Sequence, residues 1–86
     1  MNELVLISVV GTDQPGITAV ITQLLDQQDV DILDIGQSVI HDHLSLGILA
    51  NISGDAISLK TAIDRIVSDF MVEVSFALLT EQSYDR

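Results

Sequence analysis

The sequence predicts an α+β domain with the element order β-α-β-β-α-β, in which two helices cover one face of a four-stranded antiparallel sheet. Three observations lead to this fold class. Residues 4–10 are a nearly unbroken run of Val, Ile and Leu, two later segments repeat apolar residues at helical spacing, and three others alternate apolar with small or polar residues. Eighty-six residues, 48% of them hydrophobic, suffice for one domain with a single core.

The first strand, residues 4–10, is typical of a central strand packed on both faces, and Gly11 is expected to end it. The corner that follows, residues 11–17 (GTDQPGI), predicts a tight turn into a helix. Pro15 suits a helix's first turn, and Gly11 and Gly16 allow close approach of the backbone. The free amides of that turn favour a carboxylate. Asp13 can either cap the turn or meet an ammonium group, and the simpler alternative is that it only caps.

The first helix and a hairpin come next. Apolar residues at i, i+3, i+4, i+7 and i+8 predict a helix ending near Gln28; they are Ile17, Val20, Ile21, Leu24 and Leu25. Residues 30–41 predict a strand with Leu33, Ile35 and Val39 on one face and Asp34, Gly36 and Ser38 on the other. After the polar break at residues 41–43, alternation up to Ile52 predicts the other strand of the hairpin.

The C-terminal half supplies a second helix and the last strand. Residues 53–55 (SGD) are a turn and helix-start signal. The stripe of the second helix consists of Leu59, Ala62, Ile63, Ile66, Val67 and Phe70. Residues 72–78 alternate into a strand, and Phe70 and Met71 are expected in the core. The domain is therefore predicted to span residues 1–79, with residues 80–86 as an exit segment or linker to a further domain.

The second strand is expected at an edge of the sheet, where unpaired backbone groups invite a partner strand. Residues 33–38 (LDIGQS) contain no lysine, arginine or proline that would block pairing, and Gly36 permits close approach of another backbone. We predict a subunit interface here, next to the Asp13 corner; a loop or a further domain is the alternative cover. The interface residues are Leu33, Ile35, Gly36 and Ser38.

Composition excludes several partners and compartments. The formal charge is −10, with only Lys60, Arg65 and Arg86 positive, which opposes binding to nucleic acid or to a membrane surface. Cysteine is absent, so disulfides and thiolate metal sites are excluded. No basic leader or membrane-length apolar run is visible, and the expected location is the cytoplasm. The mean hydropathy of +0.46 predicts that a partner covers some apolar surface.

The element order, the Gly11-x-Asp13-x-Pro15-Gly16-Ile17 corner and the strand opening at residues 30–33 (VDIL) resemble an ACT domain. That family comprises ferredoxin-like regulatory modules that commonly bind amino acids at domain pairs. The resemblance covers nearly the whole chain. Residues 31–42 and 44–49 are more narrowly similar to the N-terminal ACT region of bacterial phosphoserine phosphatases of the SerB type, including the Ser-Leu-Gly run on the third strand.

The resemblance implies that two domains pair edge to edge or face to face and hold an amino acid, L-serine being the expected ligand, in the seam. The amides of Gly16 and Ile17 would receive its carboxylate. Asp31 stands where many ACT domains have an asparagine; an aspartate can accept from an ammonium group but repels a carboxylate. The ligand-binding residues predicted in this way are Gly11, Asp13, Gly16, Ile17, Asp31, Asp34 and Gln37.

Catalysis is not expected of this chain alone. A phosphatase of the haloacid dehalogenase type needs an Asp-x-Asp loop directly after an apolar strand, with a later lysine and acidic pair. The Asp29-Val30-Asp31 spacing follows a helix instead, and the one lysine, Lys60, lies in a predicted helix. If the resemblance holds, the chain is the regulatory part of a longer phosphoserine phosphatase or a free-standing relative of it. No cofactor is then expected here, and magnesium would belong to the catalytic domain.

No metal site is expected either. His41 and His43 flank Asp42 at the hairpin tip without an evident third ligand, so a solvated turn is the preferred interpretation. Three functions stay open: an amino-acid-sensing regulatory domain, a structural dimerisation or docking module without a ligand, and a free-standing regulator. The acidic charge means that such a regulator would act through a protein partner.

Overall fold

A computed structural model describes residues 3–79, which form a two-layer α+β domain. Its elements are β1 (Glu3–Thr12), α1 (Ile17–Gln27), β2 (Asp31–Ile40), β3 (His43–Ile52), α2 (Ala56–Ile66) and β4 (Val72–Leu79). The strands form an antiparallel sheet in the order β2-β3-β1-β4. The predicted fold class and the edge position of β2 are confirmed. The predicted exit segment, residues 80–86, lies outside the described residues.

The core lies between the two helices and one face of the sheet. The central strands β1 and β3 alternate buried and more exposed positions, because successive side chains of a strand point to opposite faces. No polar or charged residue is buried in the described part of the chain. Neither helix there is long and apolar enough to cross a membrane. The buried residues are Val5, Ile7, Val9, Ile17, Ile21, Leu25, Leu44, Leu46, Ile48, Ala50, Ile52, Leu59, Ile63 and Val67.

Strand β1 is longer than predicted. Gly11 does not end it, because this residue pairs with Leu44 of β3 and with Val72 of β4. The strand therefore continues to Thr12, and the corner begins at Asp13. This moves one of the predicted corner glycines into the sheet.

Helix α2 is shorter than its apolar stripe suggests. It ends at Ile66, and a turn follows in which the Phe70 amide donates to the Val67 carbonyl at 2.9 Å. Phe70 lies in this turn and still packs against the core. It therefore fits the apolar stripe of the sequence although it is not part of the helix. The prediction that Met71 is a core residue is wrong, since 72% of it is exposed.

Strand β2 is exposed along its whole length. Its pairing with β3 shifts between Ile32 and Asp34, which leaves Leu33 in a bulge without a partner on β3. Beyond the bulge the predicted alternation is confirmed: Ile35 and Val39 lie opposite buried residues of β3 and so face the helix layer. Leu33 does not continue that row as predicted, because the bulge changes the register at its position.

Asp55 caps the start of α2, as the predicted helix-start signal indicates. Its carboxylate accepts the Ile57 amide at 3.0 Å and the Ser58 hydroxyl at 2.9 Å. These bonds, that from the Ser58 side chain foremost, lower the pKa of Asp55, because they favour its ionised form. The helix thus carries its own acceptor for a first-turn amide.

Helix α1 ends in a Schellman motif. The Val30 amide donates to the Leu25 carbonyl at 3.0 Å, and the Asp29 amide donates to the Asp26 carbonyl at 3.2 Å. The central residue of this motif is Asp29, whose φ of 57° lies in the left-handed region. Glycine is the preferred residue at such a position because it has no Cβ to clash with the backbone.

We expect Asp29→Gly to stabilise the domain by about 1 kcal/mol, since it relieves the left-handed strain and removes a negative charge from the negative end of the helix dipole. The measurement is the urea dependence of unfolding. Asp29→Ala is the matched control, because it removes the charge but keeps a Cβ. An alanine variant as stable as the glycine variant would contradict the backbone explanation.

Candidate functional site

The corner between β1 and α1 is held in place by hydrogen bonds from two other loops. The Thr12 amide donates to the Met71 carbonyl at 2.9 Å, and the Asp13 amide donates to the Asp42 carbonyl at 2.8 Å. In return, the Met71 amide donates to the Gln14 side-chain oxygen at 2.8 Å. The corner is therefore tied to the β2–β3 turn on one side and to the loop before β4 on the other.

The first turn of α1, unlike that of α2, has no side-chain cap. Its N-cap is Gly16, which offers no acceptor, and the Ile17 amide makes only a long contact of 3.4 Å to the Gln14 carbonyl. Within residues 3–79, the amides of Thr18 and Ala19 have no hydrogen-bond acceptor. Three adjacent donors at the positive end of the helix dipole are thus left free or weakly bonded, an arrangement that favours an anionic group.

The two glycines of the predicted corner have different roles. Gly16 has a φ of 88°, and a Cβ built on it would meet nothing within 4 Å, so open space lies beside the free amides. Gly11 has a φ of 152°, and a Cβ built on it would collide with the Met71 carbonyl oxygen and would lie 2.6 Å from the Val72 Cα. Gly11 therefore makes room for the start of β4. Its contact with a ligand stays a prediction.

The charges around the corner are acidic. Asp13 is exposed and does not cap the helix, which removes the capping role as an explanation for this residue. Among the described residues, the only lysine and arginine are Lys60 and Arg65, both on α2, and the Lys60 ammonium pairs with Asp64 at 3.0 Å. A carboxylate at the corner would therefore be bound by backbone amides, and an ammonium group would meet the Asp13 carboxylate.

Gln37 lies next to this helix start. Its side-chain oxygen accepts the Thr18 hydroxyl at 2.8 Å, which fixes the middle of β2 to the first turn of α1. Sequence reasoning selected Gln37 but missed its partner Thr18, and it also missed the role of Gln14. Gln37 is two residues away from both Ile35 and Val39 and therefore lies with them on the helix side of the sheet. No pattern in one sequence, however, indicates which helix residue Gln37 contacts.

Asp31 and Asp34 are not brought to the corner within one chain. Asp31 pairs in register with Asn51, which pairs with Leu4 at the far end of β1. The corner follows Thr12, eight residues further along that strand, so about 26 Å separates the two ends. Asp34 lies on the sheet face away from the helices. Their predicted contact with a ligand would need a second chain, and it stays a prediction.

The four predicted interface residues lie together on the free edge of β2. Ile35, 44% exposed, points to the helix side, while Gly36 and Ser38 point to the other side and Leu33 occupies the bulge. A Cβ built on Gly36 would stand in open space. The edge is thus accessible to another strand, and the interface itself stays a prediction.

The two histidines are at the hairpin tip but form no metal cluster with other residues of the described range 3–79. His41 and Asp42 form a two-residue turn with φ values of 48° and 67°, while His43 begins β3. Two positive φ values are typical of the type I′ turn that closes tight hairpins. The turn holds the corner in place, because the Asp42 carbonyl in this turn accepts the Asp13 amide.

Fold and corner together define a small βαββαβ module with an uncapped helix start after its first strand. The family model of the ACT domain matches residues 3–77, and the chain belongs to the ACT domain family. A UPF0237 protein of Methanococcus maripaludis is 36% identical over 76 residues, which cover 85% of this chain and 84% of that protein. The resemblance predicted from the corner and the second strand is confirmed.

Two further similarities bear on the more detailed predictions. The phosphoserine phosphatase SerB2 of Mycobacterium tuberculosis is 45% identical over 47 residues, which cover 55% of this chain but only 12% of that enzyme. The solved ACT domain protein of Streptococcus pneumoniae superposes with a TM-score of 0.77 at 20% identity, covering 88% of this chain and 89% of that one. The second similarity shows the fold alone.

The close approach at Gly11 leads to a test of the corner. We expect Gly11→Ala to destabilise the domain by at least about 2 kcal/mol, because the new Cβ would collide with backbone atoms of Met71 and Val72 that cannot move independently of the sheet. Gly54→Ala is the control, since a Cβ there meets nothing within 4 Å. Urea unfolding measures both, and equal stabilities would contradict the assignment.

Proposed function

We propose that this chain is an amino-acid-sensing regulatory domain that binds L-serine at the start of α1, in a seam between two chains joined along β2. The observation that carries this proposal is the contrast between the two helix starts. Asp55 accepts the Ile57 amide in the first turn of α2, whereas α1 has a glycine N-cap without a side-chain acceptor, free amides at Thr18 and Ala19, and open space beside Gly16.

The charges of the corner support a zwitterion as the ligand. An amino-acid carboxylate finds donors in the first-turn amides and the positive end of the helix dipole. Its ammonium group finds the exposed Asp13 carboxylate and the acidic surroundings of a chain with a formal charge of −10. A ligand with only one of these charges would satisfy half of the site.

Pairing along β2 supports the predicted role of Asp31. If two chains pair antiparallel about a two-fold axis near Gly36, the start of one β2 comes to lie beside the end of the other. Asp31 of one chain then stands next to the hairpin tip of the second chain, whose Asp42 carbonyl binds the Asp13 amide. Residues that are about 26 Å apart within a chain would thereby meet across the seam.

Serine is proposed from the similarity to SerB2, whose name states that it is a phosphoserine phosphatase. A ligand that binds the paired arrangement better than any other shifts the equilibrium towards that pair. This shift would change the activity of an enzyme that is attached to the domain or associated with it. The proposed parent activity is phosphoserine hydrolysis, carried out outside this chain.

A second candidate function is that of a free-standing ACT regulator which acts through a protein partner. It is favoured by the match to a UPF0237 protein of comparable length, 84% of which is covered. Both candidates use the same amino-acid site, and they differ in whether the responding enzyme is on the same chain.

We expect L-serine to raise the thermal unfolding midpoint in proportion to the logarithm of its excess. At about ten times the dissociation constant it adds about 1.4 kcal/mol, which for a domain of this size corresponds to a rise of about 6–10 °C. The matched probes are 3-hydroxypropionate, which lacks the ammonium group, and ethanolamine, which lacks the carboxylate. Neither should match serine.

The corresponding variant is Gly16→Asn, because asparagine tolerates the left-handed backbone and its side chain would fill the space beside the amides. It should fold and lose the serine response, while Gly54→Asn, the control in a loop with equal space, should keep it. If the common amino acids all leave the midpoint of the natural chain unchanged, the sensing function is wrong and a purely structural pairing module is the better description.

Ile35→Lys tests the pairing edge. A lysine on an exposed edge strand opposes addition of another strand, so the variant should have half the solution mass of the natural chain in light scattering. Ile57→Lys is the control, because Ile57 is also an exposed isoleucine, at 78%, but lies on α2. If the Ile35 variant keeps the natural mass, the β2 edge does not pair.

A further inference from the structure

Strand β4 forms the second edge of the sheet, which neither the corner nor the pairing along β2 uses. It pairs with β1 on one side, and no strand within residues 3–79 lies on its other side. The pairing consists of eight successive residue pairs without a register shift. Alternate N–H and C=O groups of β4 therefore point away from the sheet over the whole length of the strand.

The residues of β4 do little to protect this edge. Natural edge strands are usually blunted by lysine, proline or a bulge. Residues 72–79 (VEVSFALL) contain no lysine, arginine or proline, and Glu73 is their one charged residue. Strand β2, by comparison, has a bulge at Leu33 and the two aspartates Asp31 and Asp34. A regular, apolar edge such as that of β4 is expected to be covered by another strand.

A groove beside the β4 edge has room for a side chain of an added strand. It has a volume of about 290 Å³ and lies between Phe76 of β4 and the α2 residues Ala56, Ile57 and Thr61. Phe76 and Leu78 pair with buried residues of β1, so both lie on the helix side of the sheet. Ile57 is 78% exposed and Leu78 is 65% exposed. An apolar side chain placed here would cover surface that the domain leaves in solvent.

The charge of the edge favours a basic residue in the added strand. Glu73 lies on the sheet face away from the helices, opposite Val10 of β1, and it has no ion-pair partner within residues 3–79. The lysine and the arginine of that range are both on α2, and the Lys60 ammonium is paired with Asp64. A lysine or arginine opposite Glu73 would therefore supply the missing cross-strand partner.

A second copy of this chain fits the edge less well. Pairing of β4 with another β4 would leave Glu73 without a partner, because the strand contains no basic residue. If β2 joins two copies as proposed above, pairing of copies along β4 as well would extend the sheet without limit. This second step rests on the proposed β2 pairing. A segment of a different protein would end the sheet instead.

We infer that the edge of β4 docks an extended segment of another protein, which adds to the sheet as a fifth, antiparallel strand. Its alternate apolar side chains cover the groove beside Phe76, and a basic residue on its other face pairs with Glu73. Antiparallel pairing is the more stable kind and continues the pattern of the sheet. The edge is also tied to the corner, since β4 follows Met71, whose backbone is bonded to Thr12 and Gln14.

The test is the binding of a synthetic peptide with blocked ends, Thr-Val-Thr-Leu-Thr-Val-Arg-Val, to the full chain. In the antiparallel register its leucine lies opposite Phe76 and its arginine opposite Glu73. Amide hydrogen exchange followed by NMR should show that the peptide protects alternate amides of residues 72–79 and leaves the exchange of the β2 amides unchanged.

Two control peptides carry N-methyl groups, each on one of the two alternating sets of amides. Only one set of amides of an added strand faces β4. One control should therefore bind more than about tenfold more weakly than the parent peptide, because it cannot donate to the edge, while the other should keep its affinity.

Glu73→Lys should weaken binding of the arginine peptide about fivefold or more, and it should favour a peptide with glutamate in place of the arginine. Asp34→Lys is the matched control, with the same change of charge on the same sheet face but at the opposite edge. At about 0.15 M salt, which screens distant charges, it should leave the affinity for the arginine peptide unchanged. Cooperative thermal unfolding shows that both variants are folded.

The inference is overturned if the peptide does not bind, if it protects β2 instead of β4, if both N-methylated peptides bind as the parent does, or if Glu73→Lys keeps the preference for arginine. Loss of β4 protection on dilution of the chain alone would also overturn it, because a second copy would then occupy the edge. The experiment is done without an amino acid, so that a missing serine response is recognised separately. Failure of the β2 pairing is likewise seen in the mass of Ile35→Lys.

Discussion

The close approach of the Met71–Val72 backbone to Gly11 is the constraint on which the corner depends. With no Cβ between them, β4 pairs with the end of β1, and the Thr12 amide reaches the Met71 carbonyl. That contact brings the Met71 amide to Gln14, which directs the chain into α1. This close contact in the sheet therefore fixes the direction in which the first-turn amides point.

The two helices begin in different ways. α2 has a side-chain cap, in which Asp55 accepts the Ile57 amide and the Ser58 hydroxyl, while α1 begins at a glycine without a side-chain acceptor. A free helix start is a small loss of stability that natural proteins keep where a ligand supplies the missing acceptor. The Thr18 hydroxyl and Gln37 then connect that start to the edge strand, so that a ligand at the corner and a partner on β2, as proposed, would contact neighbouring atoms.

The domain is a single layer of helices on a single sheet, and this leaves surfaces for association. Strand β2 offers unpaired backbone groups along an exposed edge, whereas the sheet face away from the helices offers side chains and the glycines Gly36 and Gly47, where a Cβ would find room. If a ligand is held between two chains joined along β2, ligand binding and pairing are linked. The ligand then stabilises the pair by the same free energy by which pairing strengthens the binding of the ligand.

The sequence by itself determined the fold class, most of the core and the turn that leads into α1, because each depends on local periodicity or on residue types close together in the chain. Ile17, Ile21 and Leu25 are buried as their spacing predicts, and the Pro15-Gly16 turn opens a helix. Tertiary structure alone decided the extension of β1 through Gly11, the bulge at Leu33, the exposure of Met71, the Thr18–Gln37 bond and the distance of Asp31 from the corner. These features depend on which residues, far apart in sequence, meet across strands, and pairing of that kind leaves no pattern in a single chain.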